Sequence, residues 1–327
     1  MTTYKEIRGT NIEAVASDPS NPVEGQVWYN TTTNVVKGLS FNTGTWATSG
    51  NLNTAREFMG GAGTQAAALG FGGGPLNSGA TLTELYNGSN WTEVNDLTTG
   101  RFWPGSCGTS TAALGFGGAT PTRSVDTETW NGTNWTEVNN IGTARYAIGG
   151  AGTNTAALAF GGHTGSPPNN HNLTETWNGT NWTEVNDLNT ARYGPGGAKS
   201  GTNTATLAFG GGLSGGTKTG VTELWNGTNW TEVNDMNVAR GEAAGAGTQT
   251  AALCMMGNDY PAKNSTESWN GTNWTTVANS NVGRYGPGGA GINTAALAFG
   301  GDTDPGPPTN ATEEFNAGPV TVTFDVS

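Results

Sequence analysis

Residues 145–185 read RYAIGGAGTNTAALAFGGHTGSPPNNHNLTETWNGTNWTEV, and the turn signals inside this stretch cut it into four short strands. The first is Gly-rich, the second is TAALAFGG, the third LTETW and the fourth NWTEV. Asn178-Gly179 turns the last two, because a tight two-residue hairpin needs residues that accept positive φ. Outward from this copy the same pattern returns after Arg56, Arg101, Arg192, Arg240 and Arg284. The six arginines are spaced 45, 44, 47, 48 and 44 residues apart. That spacing is the period of β-propeller blades, and one four-stranded antiparallel sheet per period is one blade.

Composition within the repeat sets the strand order. Strands crowded around an axis must carry little side chain, and Gly and Ala dominate the first two. Bulk belongs farther out, where neighbouring sheets pack. There the chain places Trp130/Trp135, Trp177/Trp182, Trp225/Trp230 and Trp269/Trp274, with Tyr86/Trp91 and Phe41/Trp46 at the same spacing. Packing between blades is the expected role of these rings, and ligand stacking is the competing one. Strand alternation puts Glu175 on the face of Trp177, and Glu84, Glu128, Glu223, Glu267 and Glu313 are its equivalents. Six Glu against six Arg at fixed register predict one ion pair per repeat, with the carboxylate held bidentately. The alternative is a ring of arginines that binds an anion.

The 327 residues carry a formal net charge of −12, 12% charged and 34% hydrophobic residues. Such an acidic chain repels phosphate backbones and anionic membrane surfaces, so nucleic acid is not an expected partner. No run approaches the roughly 20 apolar residues of a membrane helix, so no membrane insertion is expected. Cys107 and Cys254 read as small buried fillers and not as a disulfide. Asn-x-Ser/Thr sequences in nearly every hairpin read as turn chemistry.

At these residues the chain resembles the kelch-repeat family of β-propellers. Gly72-Gly73, Gly117-Gly118, Gly161-Gly162, Gly210-Gly211 and Gly300-Gly301 match the family's doublet at the end of the second strand. An aromatic in the third strand and Trp in the fourth match as well. The fifth copy departs, reading CMMGNDY around Met255 and Met256, which predicts a differently shaped exit. The aromatic-to-Trp gap of four residues is shorter than the usual one. The resemblance implies an all-β, six-bladed kelch-like β-propeller of four-stranded blades. Closure is expected through the N-terminal outer strand around Trp46, which completes the last blade, begun at Arg284. A seventh blade would need a seventh Arg and Gly-Gly run.

The expected organisation is an N-terminal arm at 1–36, the propeller at 37–316 and a C-terminal strand or tail at 317–327. The arm holds DPSNPVEGQVWYNTTTNVV, with a short hairpin at Val27 to Val36. The tail AGPVTVTFDVS alternates as one more strand able to pair with the arm. The run GQVWYNTTTNVVKG is similar to N-terminal segments of tail-fibre and other virion proteins of marine bacteriophages, which implies attachment to a particle.

Little in the chain carries chemistry. The only histidines, His163 and His171, flank Pro167-Pro168 in one loop without a recognised ligand spacing, so no metal and no cofactor is expected. The Gly-rich runs open strands and have no Lys at the phosphate-loop spacing. Tyr146, Tyr193 and Tyr285 each follow a repeat Arg. That inventory approaches a sialidase centre, but it recurs as a blade element. Propeller geometry sends the second-to-third and fourth-to-first connections to one face. Variation concentrates there, in GPLNSGA, ATPTRSVD, HTGSPPNNHN, GLSGGTKTG, NDYPAKNS and DTDPGPPTN. Loops borne by a rigid scaffold are where binding residues sit. Candidate ligand-binding residues on this face are Arg123, His163, His171, Asp259, Tyr260, Asp302 and Asp304.

These readings converge on a non-enzymatic phage virion protein, with no catalytic residues, exposed on the tail or the capsid exterior. Other virion proteins would hold the arm, and the loop face would meet a host-surface glycan or protein or serve as decoration. A kelch-type interaction scaffold of a bacterium and a carbohydrate-active enzyme are the competing classes.

Overall fold

The computed structural model describes residues 12–20, 26–41, 43–74, 79–165, 169–304 and 306–324. Among them there are seven four-stranded sheets and no helix. Six sheets carry the repeat. Sheet 3 is formed by Gly149–Thr153, Ala156–Phe160, Thr174–Trp177 and Trp182–Val185, antiparallel and in sequence order. The same order holds in sheet 1 (60–93), sheet 2 (105–138), sheet 4 (196–233) and sheet 5 (244–277). Sheet 6 (288–316) has three local strands, and its outer strand is Thr45–Ser49, brought from the other end of the chain. There Trp46 lies opposite Phe315, the register that Trp182 and Trp177 have in sheet 3. Repeated four-stranded sheets of this kind are the propeller type of fold.

Each hairpin between third and fourth strands is built alike. In sheet 3, Asn178 Oδ1 accepts the amides of Thr180 and Asn181, and Gly179 takes φ +92°, a conformation that costs a residue with a Cβ dearly. The fourth-strand Trp then packs on the preceding sheet. Trp182 meets Phe116 at 5.0 Å and Trp230 meets Phe160 at 5.2 Å between ring centroids. Trp135 meets Phe71 at 4.7 Å and Trp274 meets Phe209 at 5.0 Å in the same way. Their indole nitrogens reach across too: Trp135 Nε1 donates to Thr83 Oγ1, Trp230 Nε1 to Thr174 Oγ1 and Trp274 Nε1 to Thr222 Oγ1, each at 3.0 Å. Trp91 of sheet 1 does the same to sheet 6, through Phe299 and Thr312 Oγ1.

The two rings of a pair therefore differ in role, which the equal treatment of the pairs in the sequence did not foresee. The third-strand rings stay at home: Trp130, Trp177, Trp225 and Trp269 donate to the carbonyls of Ser110, Asn154, Asn203 and Gln249, in the first hairpin of their own sheets. The competing expectation of ligand stacking does not hold for Trp135 and Trp274. Both are buried at 5% exposure, with the ring against the preceding sheet and the Nε1 donor spent, so neither offers an open face. The aromatic hairpins are inter-sheet packing, burying on the order of 150–250 Å² per ring.

The six arginines are buried and each meets its expected glutamate, Arg56 with Glu84, Arg101 with Glu128 and so on round to Arg284 with Glu313. In sheet 3, Arg145 Nη2 donates to Glu175 Oε1 at 2.7 Å, while Nη1 serves the carbonyls of Gly161 and Leu173. Glu175 Oε2 accepts the amide of Gly142, in the link from the preceding sheet. One charge pair thus clamps a second-strand exit, a third-strand entry and an inter-sheet link. The expected bidentate grip is not formed, because Nε has no partner in any of the six and, outside sheet 5, Nη1 is committed to carbonyls. Burial pulls the pKa values of Arg56, Arg145, Arg192 and Arg284 down, and their glutamates oppose that shift. In sheet 5 the guanidinium is turned: Arg240 Nη1 faces Glu267 at 2.9 Å and Ser265 Oγ, and Nη2 reaches the Cys254 carbonyl.

The fifth repeat corrects one expectation. Met256 has φ +60°, against +61° to +66° for Gly117, Gly161, Gly210 and Gly300 at the same place. Its amide donates to Ser265 O as that of Gly161 donates to Leu173 O. The exit therefore keeps its shape, and a methionine bears the left-handed strain. Cys107 and Cys254 are free and buried, and burial pushes the Cys107 thiol up to about 12.

The chain divides into two compact units, 45–316 and a second one of 1–44 with 317–327. The seventh sheet belongs to the second unit, in the order Glu13–Val15, Val27–Asn30, Val35–Phe41 and Pro319–Phe324. The arm hairpin is present, and the C-terminal strand pairs antiparallel with Val35–Phe41. A boundary at 36/37 falls inside that strand, so the expected domain limits move to 44/45. Phe41 accordingly lies in this sheet and is no partner of Trp46. Asp18 gathers Trp28 Nε1, Asn30 Nδ2 and Lys37 Nζ within 2.7–3.0 Å, and these bonds, Lys37's first, hold its carboxyl at about 2. Residues 1–11 and 21–25 of the arm lie outside the described residues.

Candidate functional site

The innermost strands carry so little side chain that they approach backbone to backbone. A Cβ on Gly150 would lie 2.7 Å from Ser106 O, and one on Gly61 would lie 2.7 Å from Gly289 O. Where the chain enters each innermost strand, the second residue after the repeat arginine is left-handed in all six copies. These residues are Phe58, Trp103, Ala147, Gly194, Glu242 and Gly286, with φ between +51° and +62°. Their backbones are joined: Phe58 N donates to Gly286 O, Gly286 N to Glu242 O and Glu242 N to Gly194 O. Gly194 N then donates to Ala147 O, Ala147 N to Trp103 O and Trp103 N to Phe58 O.

Three of these six positions bear large side chains in a conformation that costs roughly 1–2 kcal/mol for a residue with a Cβ. Strain of this kind concentrates at binding and catalytic sites. Phe58, Trp103 and Glu242 all line a cup of about 450 Å³ together with Tyr146, His163, Tyr193, Tyr260 and Tyr285. The rings support one another, with centroids 4.2 Å apart for Phe58 and Trp103, 5.7 Å for Phe58 and Tyr285, and 5.8 Å for Trp103 and Tyr146. His163 bridges Tyr146 and Tyr193 at 5.1 and 5.8 Å. None of the hairpin tryptophans, Trp135 and Trp274 included, is in this lining.

A buried polar layer anchors these rings. Lys218 Nζ donates to Glu242 Oε1 at 2.8 Å and to the Tyr193 hydroxyl at 3.1 Å, and Asn258 Nδ2 donates to Glu242 Oε2 at 2.9 Å. Across the cup, Asp302 exchanges two backbone hydrogen bonds with Tyr285 and lies beside Glu57. Burial, then the Asp302 charge, pushes the Glu57 carboxyl up to about 7, and burial likewise raises the Tyr285 phenol. Burial also holds His163 below its ordinary range, with Arg123 and His171 adding to the effect. His163 Nδ1 accepts the amide of Gly165.

The fourth-to-first links and second-to-third loops share one face, as expected, and meet through bridges such as Tyr146 to His163, Tyr193 to Gly212 and Tyr285 to Asp302. Of the seven candidate residues, His163 and Tyr260 line the cup, and Tyr260 is 70% exposed. Arg123 lies over the Tyr146 ring at 5.6 Å, in an adjoining recess of about 220 Å³ that shares Phe58, Trp103 and Tyr146. His171 is spent on the Thr164 hydroxyl. Asp302 is buried behind Tyr285, Asp304 donates its amide to Asp302, and Asp259 is exposed outside the cup lining. The loop tips 75–78 and 166–168 lie outside the described residues. Phe58, Trp103, Glu242 and Lys218 went unnoticed in the sequence. The signal of the first three was positional: the two residues after each arginine vary while everything around them repeats, whereas Lys218 lies in the variable loop GLSGGTKTG.

No protein-family model matches the chain, and no curated protein is recognisably similar to it. Among solved structures it is similar to YjhT, with a TM-score of 0.68 at 12% identity, over 81% of this chain and 95% of that one. At that identity the likeness concerns the fold, and it supports a propeller of kelch-like type.

Proposed function

We propose that this protein is a non-enzymatic recognition module: a closed six-bladed propeller whose aromatic cup binds a surface glycan. The observation that carries the reading is the cup itself, with its Phe, Trp and Tyr faces backed by fixed polar groups. Pyranose rings present flat C–H faces to aromatic side chains and hydroxyls to polar partners, the chemistry that an apolar pocket with few convergent polar groups accepts. Six blades and closure are supported by the backbone bonds that run from Phe58 through Gly286, Glu242, Gly194, Ala147 and Trp103 back to Phe58. The pairing of Thr45–Ser49 with Thr312–Asn316 supports the same closure.

The context we propose is a phage particle, on the tail or the capsid exterior, with the arm held by other virion proteins. Its support is the likeness of residues 25–38 to phage virion segments and the separate unit those residues form with the C-terminal strand. Neither nucleic acid nor membrane insertion enters this reading. The test is retention of the full chain on immobilised bacterial surface polysaccharides, with released sugar assayed in the same wells. Retention without release, lost in Trp103→Ala, is the expected result. Release of sugar would make the protein a hydrolase or lyase. No retention on any glycan, with capture of a defined protein partner instead, would make it an interaction scaffold.

A further inference from the structure

The charges around the cup are arranged unevenly. On one side the protein's own cations already use the rings: Lys218 Nζ lies 4.9 Å from the Tyr193 centroid and 5.9 Å from that of Tyr260, and Arg123 Cζ lies 5.6 Å from that of Tyr146. Electron-rich ring faces attract such cations. On the other side, Tyr285, Phe58 and Trp103 have no cation over them among the described residues. Behind Tyr285 sit two acids, Glu57 and Asp302, in contact with each other and without an ion-pair partner among the described residues. Glu57 is 1% exposed, and its Oε2 makes no hydrogen bond. Two adjacent carboxyls in a low-dielectric wall must share a proton or be balanced by a cation.

We propose that the ligand of this cup is a glycan bearing a free, positively charged amino group, such as a non-acetylated hexosamine, seated with its ammonium at the Tyr285 wall. The proposal rests on the glycan reading above and adds the class of sugar to it. The wall offers the half-exposed Tyr285 ring in front and unbalanced negative charge behind, and the chain as a whole carries −12. A uronate or sialate would meet the same field as repulsion. Because Glu57 is poised near neutrality, an ammonium arriving beside it favours its ionised form, so binding releases a proton.

The test is titration calorimetry of the full chain with glucosamine, N-acetylglucosamine and galacturonate oligomers of equal length. We expect the glucosamine oligomer to bind about tenfold more tightly than its acetylated counterpart, and the galacturonate oligomer to bind least. The glucosamine preference should shrink as salt is raised, and the heat should change with the ionisation enthalpy of the buffer at pH 7. Glu57→Gln should abolish the preference, so that the glucosamine and N-acetylglucosamine oligomers bind the variant equally. Should that variant fold poorly, the salt and buffer dependence of the unaltered protein decides alone. Equal or tighter binding of the acetylated or acidic oligomer overturns the inference and leaves a glycan-binding cup standing. Absence of binding to all three, in a protein that also fails on polysaccharides, removes both.

Discussion

The two sides of a single tripeptide meet opposite fates in this molecule. In every repeat the arginine is buried, identical and paired with a glutamate two strands away. The next two residues are Glu-Phe, Phe-Trp, Tyr-Ala, Tyr-Gly, Gly-Glu and Tyr-Gly. The arginine builds the frame and its successors furnish the cup, so a residue's place changes from buried clamp to cup lining within about 4 Å of chain. The contrast shows how a repeat protein acquires one asymmetric site: the backbone conformation is kept six times while the side chains it presents are not.

The comparison predicts its own largest effect. Arg192→Met should leave Glu223 without its counter-charge and the Val221 carbonyl without its Arg192 donor, and breaking one partner of a buried pair costs about 3–5 kcal/mol. Urea unfolding monitored by Trp fluorescence measures it; a loss below about 1 kcal/mol would show that the clamp is ornamental. Next in size is Trp230→Phe, which keeps the ring stacked on Phe160 but deletes the bond to Thr174 Oγ1. Stranding that buried acceptor should cost about 1–2 kcal/mol. Trp103→Gly, just before the innermost strand of sheet 2, should behave differently. Lost packing against Phe58 is offset by relief of the left-handed strain, roughly 1 kcal/mol. Stability should move by less than about 1 kcal/mol, while retention on glycan disappears. A large destabilisation would place Trp103 with the frame.

The same division explains what the sequence disclosed. A feature written six times can be read from one copy, so the four-strand sheet, the Arg–Glu pairs and the Trp interfaces were all visible as pattern. The cup was visible only as a face. Phe58, Trp103 and Glu242 matter because of a positive φ shared by six unlike residues, and a conformation common to Phe, Ala and Gly leaves no residue-type signature. Asp302 read as a ligand-binding loop residue because nothing in DTDPGPPTN announces that it is buried beside Tyr285 and Glu57. Met256 misled in the other direction: its side chain differs from glycine, but its backbone follows the glycine path.

Acid titration separates frame from cup as well. Glu57 has its folded pKa raised from 4.5 to about 7, so between those values the folded chain binds more protons than the unfolded one. Stability contributed by the neutral carboxyl is complete below about pH 4.5 and falls as pH rises toward 7. Glu57→Gln should flatten that decline, read as the melting temperature across the window. An unchanged slope would mean that the Glu57–Asp302 contact is broken in solution.

The smallest expected effect concerns the one place where the frame itself breaks its repeat. Sheet 4 reads GGAKSGTNTATLAF where sheet 3 reads GGAGTNTAALAF, an insertion that carries Lys199 and Ser200. Lys199 Nζ reaches Gly61 O and Ser106 Oγ at 3.1 Å and Gly289 O at 3.4 Å, and Ser200 bonds the carbonyls of Gly247 and Gly291. Two inserted residues thereby touch sheets 1, 2, 5 and 6, acting as a bolt between their innermost strands. No carboxylate balances the ammonium among the described residues, and burial lowers its pKa from 10.5 to about 8. Between those values the unfolded chain holds more protons than the folded one, so stability should rise with pH there. Lys199→Met should remove that rise and lose the carbonyl contacts together. If melting temperatures between about pH 8 and 10.5 run parallel in the two proteins, the lysine is solvated and the insertion is a loop like any other. If the Lys199 protein gains on the variant as pH rises, the frame contains an uncompensated charge, and the scaffold too has given up uniformity at one point.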